Sequence, residues 1–362
     1  MLQTKILMKS IEANGYTVFF NENGYTSLNS FISQRNYSTI FILSDTNSNE
    51  NCLPKFLPLL ETEKNIEIIE IEPGETEKNI TTCVEIWSIL TELGADRKSL
   101  IINIGGGVIT DIGGFIASTF KRGIDFINIP TTLLAMVDAS IGGKNGVDLG
   151  NLKNQIGVIN VPKMVLIDTD FLSTLPQNEM RSGLAEMLKH GLIFDKKYWN
   201  EFKDLSQKDF ADFDQLIHRS VEIKNEIVMQ DPTENGIRKA LNFGHTLGHA
   251  IESYFLENEN KKTLLHGEAI AVGMILESFI SWKKELLTET EFIEIKSTIN
   301  SIFETIIFEE NDLQPILDLL IHDKKNEYGE IQFALLDGIG KIKINQQTDN
   351  KLITLAFENY KS

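Results

Sequence analysis

Two regimes of hydrophobic patterning divide the chain. Up to about residue 170, short β-branched runs alternate with amphipathic stretches: TVFF at 17–20, TIFILSD at 39–45, IEIIEIE at 66–72, SLIINI at 99–104, FINIP at 126–130 and MVLID at 164–168. Strands that recur with helical connections between them predict crossovers and hence a mostly parallel sheet. From about 178 to 320 the apolar residues fall every three to four positions, as in EMRSGLAEMLKHGLI and HGEAIAVGMILESFISW, which predicts packed helices. The break lies in DFLSTLPQ, so we expect an α/β Rossmann-like domain over 1–175 and a mainly α-helical domain over 176–362. In the tail, EIQFALLDGIGKIKI and KLITLAF read as strand-like, so the second domain is not expected to be purely helical.

With 362 residues, 42% of them hydrophobic and 24% charged, the chain has an ordinary globular composition and enough length for two cores. The 52 Asp and Glu against 34 Lys and Arg leave a net charge of -18, which repels a phosphate backbone, so nucleic acid is not an expected partner. No apolar run approaches the ~18 residues needed to cross a bilayer, and MLQTKILMKS lacks the apolar centre of a signal peptide. The expectation is a cytoplasmic protein that does not engage a membrane. Cys52 and Cys83 have no Cys or His close by in sequence and read as reduced thiols.

Three constellations could carry chemistry. In SLIINIGGGVITDIGG an apolar strand runs into Gly105, Gly106 and Gly107 and then into a helix, the arrangement of an anion-binding turn. As a dinucleotide fingerprint it is imperfect, because Thr110 stands where Gly or Ala is expected, and a plain β-to-α turn remains open. Asp45 closes a strand and suits either a ribose hydroxyl or a helix cap. The second constellation places His245, His249 and His266, half of the six histidines, in FGHTLGHAIE and LLHGEAIAV. The first two share one helix face, but Leu247 occupies the position of the general base in HExxH, which argues against a metalloprotease. Glu186, in SGLAEMLKHG, is a candidate third ligand; two imidazoles and a carboxylate would describe a catalytic zinc site, and interior hydrogen-bonded histidines are the alternative. The third is a set of cations beside Gly, Asn or apolar segments: Lys121, Arg122, Lys144, Lys153, Lys224, Arg238, Lys324 and Lys325, with Asn154 alongside. Each alone reads as a solvated charge; together near Gly-rich segments they suit phosphate or carboxylate.

Taken in order, PGETEK at 73–78, GGGVITD at 105–111, KRG at 121–123, PTTLLAMVDASIGGKNGV at 130–147, LKNQIG at 152–157, LAEMLKHG at 184–191, RKALNFGHTLGHAIE at 238–252, LLHGEAIAVGM at 264–274 and DKKN at 323–326 resemble the 3-dehydroquinate synthase family of sugar-phosphate cyclases. The resemblance implies an NAD-binding α/β domain, a metal-binding helical domain and an active site in the cleft between them. It implies zinc, with cobalt also suited, on Glu186, His245 and His266. It implies NAD contacts from Asp45, Asn47, Glu75, Lys78, Gly105, Gly106, Gly107, Asp111, Thr131, Thr132, Asp138, Lys144 and Lys153. Catalytic and substrate contacts would come from His249, Lys144, Lys153, Asn154, Lys189, Lys224, Arg238, Asn242 and one of Lys324 and Lys325, with Arg122 reaching the phosphate from the neighbouring subunit of a homodimer.

The implied reaction is the shikimate-pathway conversion of 3-deoxy-D-arabino-heptulosonate 7-phosphate to 3-dehydroquinate and phosphate, by a lyase of aromatic amino acid and chorismate biosynthesis that regenerates its NAD. A sister cyclase acting on a sugar phosphate without a carboxylate would not need Arg238 and Asn242 in the roles the resemblance gives them. A metal-dependent polyol or alcohol dehydrogenase shares the glycine turn and spaced histidines but not the LKN segment. A non-catalytic NAD-binding regulator would have no need for buried charges. The chain departs from the family at Asn145, where Thr is usual, at Asp148 with the LGN that follows, and in a polar ENENKKT stretch between His249 and His266.

Overall fold

The computed structural model describes residues 8–150, 152–205, 210–320 and 331–361. The chain divides into two compact units, Met1–Pro176 and Gln177–Ser362.

Among the described residues the first unit holds nine strands: β1 (Ile11–Glu12), β2 (Thr17–Phe20), β3 (Thr39–Asp45), β4 (Asn65–Ile71), β5 (Leu100–Gly105), β6 (Asp125–Pro130), β7 (Lys144–Leu149), β8 (Leu152–Ile159) and β9 (Met164–Ile167). Seven of them form one sheet in the order β1-β2-β9-β6-β5-β3-β4, in which β1 and β2 pair antiparallel and the other neighbours parallel. The strands β5 and β9 are buried along their whole length, as their unbroken apolar runs require of strands covered on both faces. The helices of this unit are α1 (Asn21–Ser33), α2 (Thr46–Asn51), α3 (Leu53–Phe56), α4 (Ile80–Glu92) and α5 (Gly107–Thr119). A core cluster joins Phe41 and Leu43 of β3, Ile86 and Leu90 of α4, Ile112 and Ile116 of α5, and Val147 of β7.

The chain leaves β3 for β4 on one side and then crosses back to pair β5 on the other, so the strand order reverses between β3 and β5. In open α/β sheets such a reversal opens a crevice at the carboxyl ends of the strands, and ligands bind there. Asp45 and Gly105 are the last residues of those two strands.

One element of this unit has no counterpart in the sequence pattern: Lys144 opens β7, and Lys153 and Asn154 lie on β8, the two strands pairing as a separate antiparallel hairpin. Glycine-rich strands carry too little side-chain pattern to be recognised, and here the glycines serve close packing: a Cβ on Gly114 of α5 would sit 1.9 Å from Asn145 Oδ1. Asn145, a departure from the family pattern, donates from Nδ2 to the carbonyls of Gly143 and Asn160, fastening the base of the hairpin.

The second unit contains α6 (Gln177–Phe194), α7 (Lys196–Asn200), α8 (Phe210–Gln230), α9 (His245–Glu257), α10 (His266–Lys283), α11 (Glu289–Asn300) and α12 (Leu313–Leu320), then the antiparallel hairpin β10 (Phe333–Leu336) and β11 (Ile342–Gln346), and α13 (Asn350–Lys361). Helix α10 is buried on nearly every face and forms the centre of the unit. It packs against α9 with backbones almost touching: a Cβ on Gly273 would lie 1.9 Å from the Gly244 carbonyl oxygen, and one on Gly248 would lie 3.2 Å from that of Ala269. KLITLAF, expected to be strand-like, belongs to helix α13. Its β-branched and aromatic residues match strand composition, but the buried positions are Ile353, Ala356, Phe357 and Tyr360, the spacing of one helical face.

Candidate functional site

The α/β unit gathers residues at the β3/β5 reversal. Gly106 caps α5 without a side chain, and a Cβ on Gly105 would meet Ile109 Cγ1 at 2.5 Å, so the turn closes only on glycine. Thr131 follows β6 and donates its backbone N–H to the Gly105 carbonyl at 2.9 Å, while Thr132 stands where a Cβ on Gly106 would come within 3.1 Å of its Cγ2. Asp138 lies in the π-helical turn Ala135–Ala139, whose Ala139 would approach a Cβ on Gly107 to 3.4 Å. Thr110, the break in the fingerprint, is buried and donates its hydroxyl to the Gly107 carbonyl. The close helix-to-strand contact is supplied one turn further on by Gly113, whose Cβ would lie 2.0 Å from Asn103 Oδ1 of β5. The side chain of Asp45 accepts the Ser48 N–H at 2.8 Å and so caps α2, and Asn47 is exposed in that helix.

A second group in the same unit is electrostatic. Lys78, buried, reaches Asp111 at 2.6 Å, and Lys153 reaches Glu75 at 3.5 Å. Burial alone would discharge Lys78, but the carboxylates of Asp111 and Glu75 outweigh it and hold its ammonium well above the usual lysine range. Asp111 is raised as well: burial lifts it, and Lys78 offsets only part of that. The hairpin joins this group, since Asp148 donates its N–H to the Lys78 carbonyl at 2.8 Å and its side chain accepts the Asn154 N–H at 2.6 Å. Asn154 is held in the left-handed region at φ +52, which asparagine tolerates better than most residues. Lys144 is exposed on β7. Lys121 and Arg122 are exposed on a corner where both have positive φ, 47° and 68°.

The helical unit brings Glu186 of α6 to the first residues of α9 and α10. The Oε1 atom of Glu186 lies 3.3 Å from His245 Nε2 and 3.8 Å from His266 Nε2. Two donors on a tetrahedral zinc ion at ~2.0–2.1 Å are separated by about 3.3 Å, so these spacings fit ligands of a single ion. One ring nitrogen from each of His245, His249 and His266 lies within 4.8 Å of the others. Glu186 is fully buried; its Oε2 forms an ion pair with Lys189 one turn along α6, and its Oε1 faces the Nε2 atoms of His245 and His266. A carboxylate withdrawn from water requires compensating positive charge, and Oε1, facing two imidazole nitrogens, is placed to share a cation with them. The residues therefore fit a divalent metal.

Burial opposes the Glu186 charge, but Lys189 and His245 outweigh it and hold the carboxyl well below its usual range. Burial and the Lys189 charge push His245 down to about 4, leaving its imidazole neutral at pH 7 with a lone pair to donate. Burial would lower His266 as well, but the Glu252 and Glu186 carboxylates raise it to about 9. Contact with α6 positions α10: the Gly267 N–H donates to Ser182 Oγ at 2.9 Å, one turn before Glu186, and a Cβ on Gly267 would overlap the Ser182 backbone at 2.3 Å. Further along, Arg238 is 2% exposed and donates from Nη1 to the Pro232 carbonyl, Asn242 donates to Glu234 Oε1 at 3.0 Å, and Lys224 is buried on α8. Lys324 and Lys325 lie outside the described residues. Sequence reading passed over Glu252 and Glu277, whose roles depend on partners 14 and 33 positions away along the chain.

An α/β unit with a glycine turn at its strand-order reversal and a helical unit with an imidazole–carboxylate cluster are the parts of a nucleotide- and metal-using enzyme. A solved 2-deoxy-scyllo-inosose synthase, complexed with carbaglucose-6-phosphate, NAD+ and Co2+, is 25% identical with a TM-score of 0.83, covering 97% of this chain and 100% of that one. A 2-epi-5-epi-valiolone synthase from Streptomyces hygroscopicus with NAD+ and Zn2+ bound is also 25% identical, with a TM-score of 0.82 and 98% and 99% coverage. A glycerol dehydrogenase from Schizosaccharomyces pombe shares the fold alone, at 13% identity and a TM-score of 0.64 over 98% of this chain and 91% of that one. The family models of the 3-dehydroquinate synthase N-terminal and C-terminal parts match residues 68–182 and 183–326. The 3-dehydroquinate synthase of Parabacteroides distasonis is 40% identical over 93% of this chain and 95% of its own length, and that of Alkaliphilus metalliredigens 36% over 96% and 97%. The chain belongs to the 3-dehydroquinate synthase family.

Proposed function

We propose that the chain converts 3-deoxy-D-arabino-heptulosonate 7-phosphate to 3-dehydroquinate and phosphate. The observation that carries this reading is the convergence of the buried Glu186 carboxylate with His245 and His266, and of those two rings with His249, in a member of this family. When bound, NAD would supply the reversible oxidation at C5 that makes the C6 proton acidic, and a divalent ion the Lewis acidity that holds adjacent hydroxyls in place. Glu186, His245 and His266 would hold the ion, a donor set that suits zinc and cobalt alike. The glycine turn would receive the pyrophosphate on backbone N–H groups at the start of α5, with Asp45, Asn47, Thr131, Thr132 and Asp138 around it and Glu75, Lys78, Asp111, Lys144 and Lys153 completing the nucleotide site.

His249, one turn along α9 from His245, is assigned to proton transfer, because imidazole changes charge in the neutral range. Lys144, Asn154, Arg238 and one of Lys324 and Lys325 would hold the substrate's phosphate and carboxylate against a chain whose net charge of -18 repels anions, with Lys153, Lys189, Lys224 and Asn242 as further substrate contacts. Arg238 supplies the planar fork that matches a carboxylate, the group a sister cyclase's substrate lacks. We place the reaction in the cytoplasm and assign Arg122 to the phosphate held by the neighbouring subunit of a homodimer.

The test is incubation with the heptulosonate phosphate, NAD and zinc, with phosphate and dehydroquinate both measured. Release of the two in equal amounts is expected, and metal-loaded protein that forms neither overturns the reading. Net NADH accumulation with glycerol instead would identify a polyol dehydrogenase. His245→Ala is expected to lose the ion, and zinc retained at the wild-type stoichiometry overturns the ligand assignment.

A further inference from the structure

Both helices that deliver a histidine to the metal cluster begin on that histidine: His245 is the first residue of α9 and His266 the first of α10. The two helices run antiparallel, because Gly244 lies against Gly273 and Met274 while Gly248 lies against Ala269 and Ile270. This arrangement sets a carboxylate from each helix beside the start of the other. We propose that Glu252 and Glu277 are positioning residues of the metal centre, each fixing the ring of the metal-binding histidine on the opposite helix. The proposal rests on the metal reading given above.

For His266 the link is direct. Glu252 Oε2 lies 3.2 Å from His266 Nδ1, and the opposite ring nitrogen faces Glu186 Oε1. An ionised carboxylate only accepts, so Nδ1 keeps its proton and Nε2 is the nitrogen that gives up a proton when an ion binds. For His245 the link runs through one peptide. The Nδ1 atom of His245 lies 3.1 Å from the Phe243 carbonyl, again an acceptor, so the proton again sits on Nδ1 and Nε2 points at Glu186. The N–H of that same peptide belongs to Gly244, and it donates to Glu277 Oε2 at 2.7 Å. Glu277 is fully buried, and its Oε1 also accepts the Leu247 N–H at 3.1 Å.

Helix α9 has no side-chain cap of its own, since its N-cap is Gly244 in the left-handed region at φ +77. Glu277 therefore satisfies two backbone donors at the start of α9, 33 and 30 residues away, and fixes the plane of the peptide that orients the His245 ring. The outcome is one design realised twice: a carboxylate behind each Nδ1–H, directly at His266 and through a peptide at His245.

The test uses the full chain and zinc or cobalt alone. Metal affinity is measured by chelator competition for wild type, Glu252→Gln, Glu252→Asp and Glu277→Gln, with the thermal midpoint of the metal-free proteins alongside. Glu252→Gln and Glu277→Gln are expected to weaken affinity about 10- to 100-fold. Glu252→Asp, which keeps the charge, is expected to recover part of that loss, a rescue that a purely structural role would not produce. Wild-type affinity in both Gln variants overturns the proposal. Should Glu277→Gln fail to fold, side-chain nitrogen correlations of the zinc-loaded wild type decide the matter: His245 and His266 are expected to bind through Nε2 with a proton on Nδ1, and binding through Nδ1 overturns the inference. Wild-type protein that takes up no zinc overturns the metal reading itself, whereas one bound ion with unaffected variants overturns only the positioning roles.

Discussion

In the α/β unit, the residues assigned to the nucleotide centre on strand ends and turns: a glycine turn, two threonines against it, and a charged group that runs from buried Lys78 to exposed Glu75. In the helical unit, the residues assigned to the metal are side chains on helix starts and a helix interior, with Glu186 and Lys189 both withdrawn from water. The first half is made by leaving side chains out and the second by burying them. A site of the first kind depends on where a methyl group would go; a site of the second depends on which atoms replace solvent around a charge.

Four substitutions probe this contrast, in order of decreasing effect on stability. Gly273→Ala forces a methyl to 1.9 Å from the Gly244 carbonyl oxygen, with backbone on both sides and no side chain able to yield. It should cost about 3 kcal/mol and lower the thermal midpoint by roughly 10 °C. An unchanged melting curve would show that the α9–α10 contact has slack. Asp111→Asn leaves Lys78 facing a neutral amide. The loss should be about 2 kcal/mol, below the ~3–5 kcal/mol of a wholly buried pair because the Asp111 side chain is 18% exposed. Urea unfolding measures it, and an equal midpoint in the variant contradicts the role given to this pair.

A smaller, pH-dependent effect is expected at Asp195, which accepts from Arg219 at 2.8 and 3.2 Å and caps α7. Burial raises its carboxyl, but the Arg219 bonds and the capped N–H groups outweigh it and set it below the usual range. A depressed folded value means the contribution is complete above the ordinary aspartate range near pH ~4 and disappears as pH falls through the lower folded value. Asp195→Asn should therefore be less stable than wild type at pH 7, with the gap closing in acid. A gap that persists at pH 2 would refute this. Gly106→Ala should have the least effect on stability, under about 1 kcal/mol, since φ is -73° and the contact is a Thr132 methyl at 3.1 Å. NAD affinity should fall far more than the melting point. Unaltered affinity would mean the nucleotide does not approach this turn.

What the sequence disclosed follows the same division. The glycine turn and the histidine pair were legible because their logic is local: a strand end followed by three glycines, and two imidazoles four positions apart on one helix face. The hairpin carrying Lys144 and Asn154 was not, because Gly146 and Gly157 face one another across it and leave little alternation to read. Asp148 appeared as a mere departure from the family, yet it holds the backbone of Asn154 across the hairpin. KLITLAF was misread because composition favoured a strand while the helix places Ile353 and Phe357 on one buried face. Glu252 and Glu277 were invisible for another reason: each acts on a group brought near only by the packing of two helices.

The Glu186–Lys189 ion pair has a consequence for how ligands assemble. The Lys189 ammonium already balances Glu186, so a dication sharing that carboxylate has Glu252, behind His266, as its nearby negative charge and leaves net positive charge in a poorly solvated interior. A phosphate- and carboxylate-bearing sugar is the natural counterweight. Ion and anionic sugar should each tighten the other's hold, by equal factors as thermodynamic linkage requires.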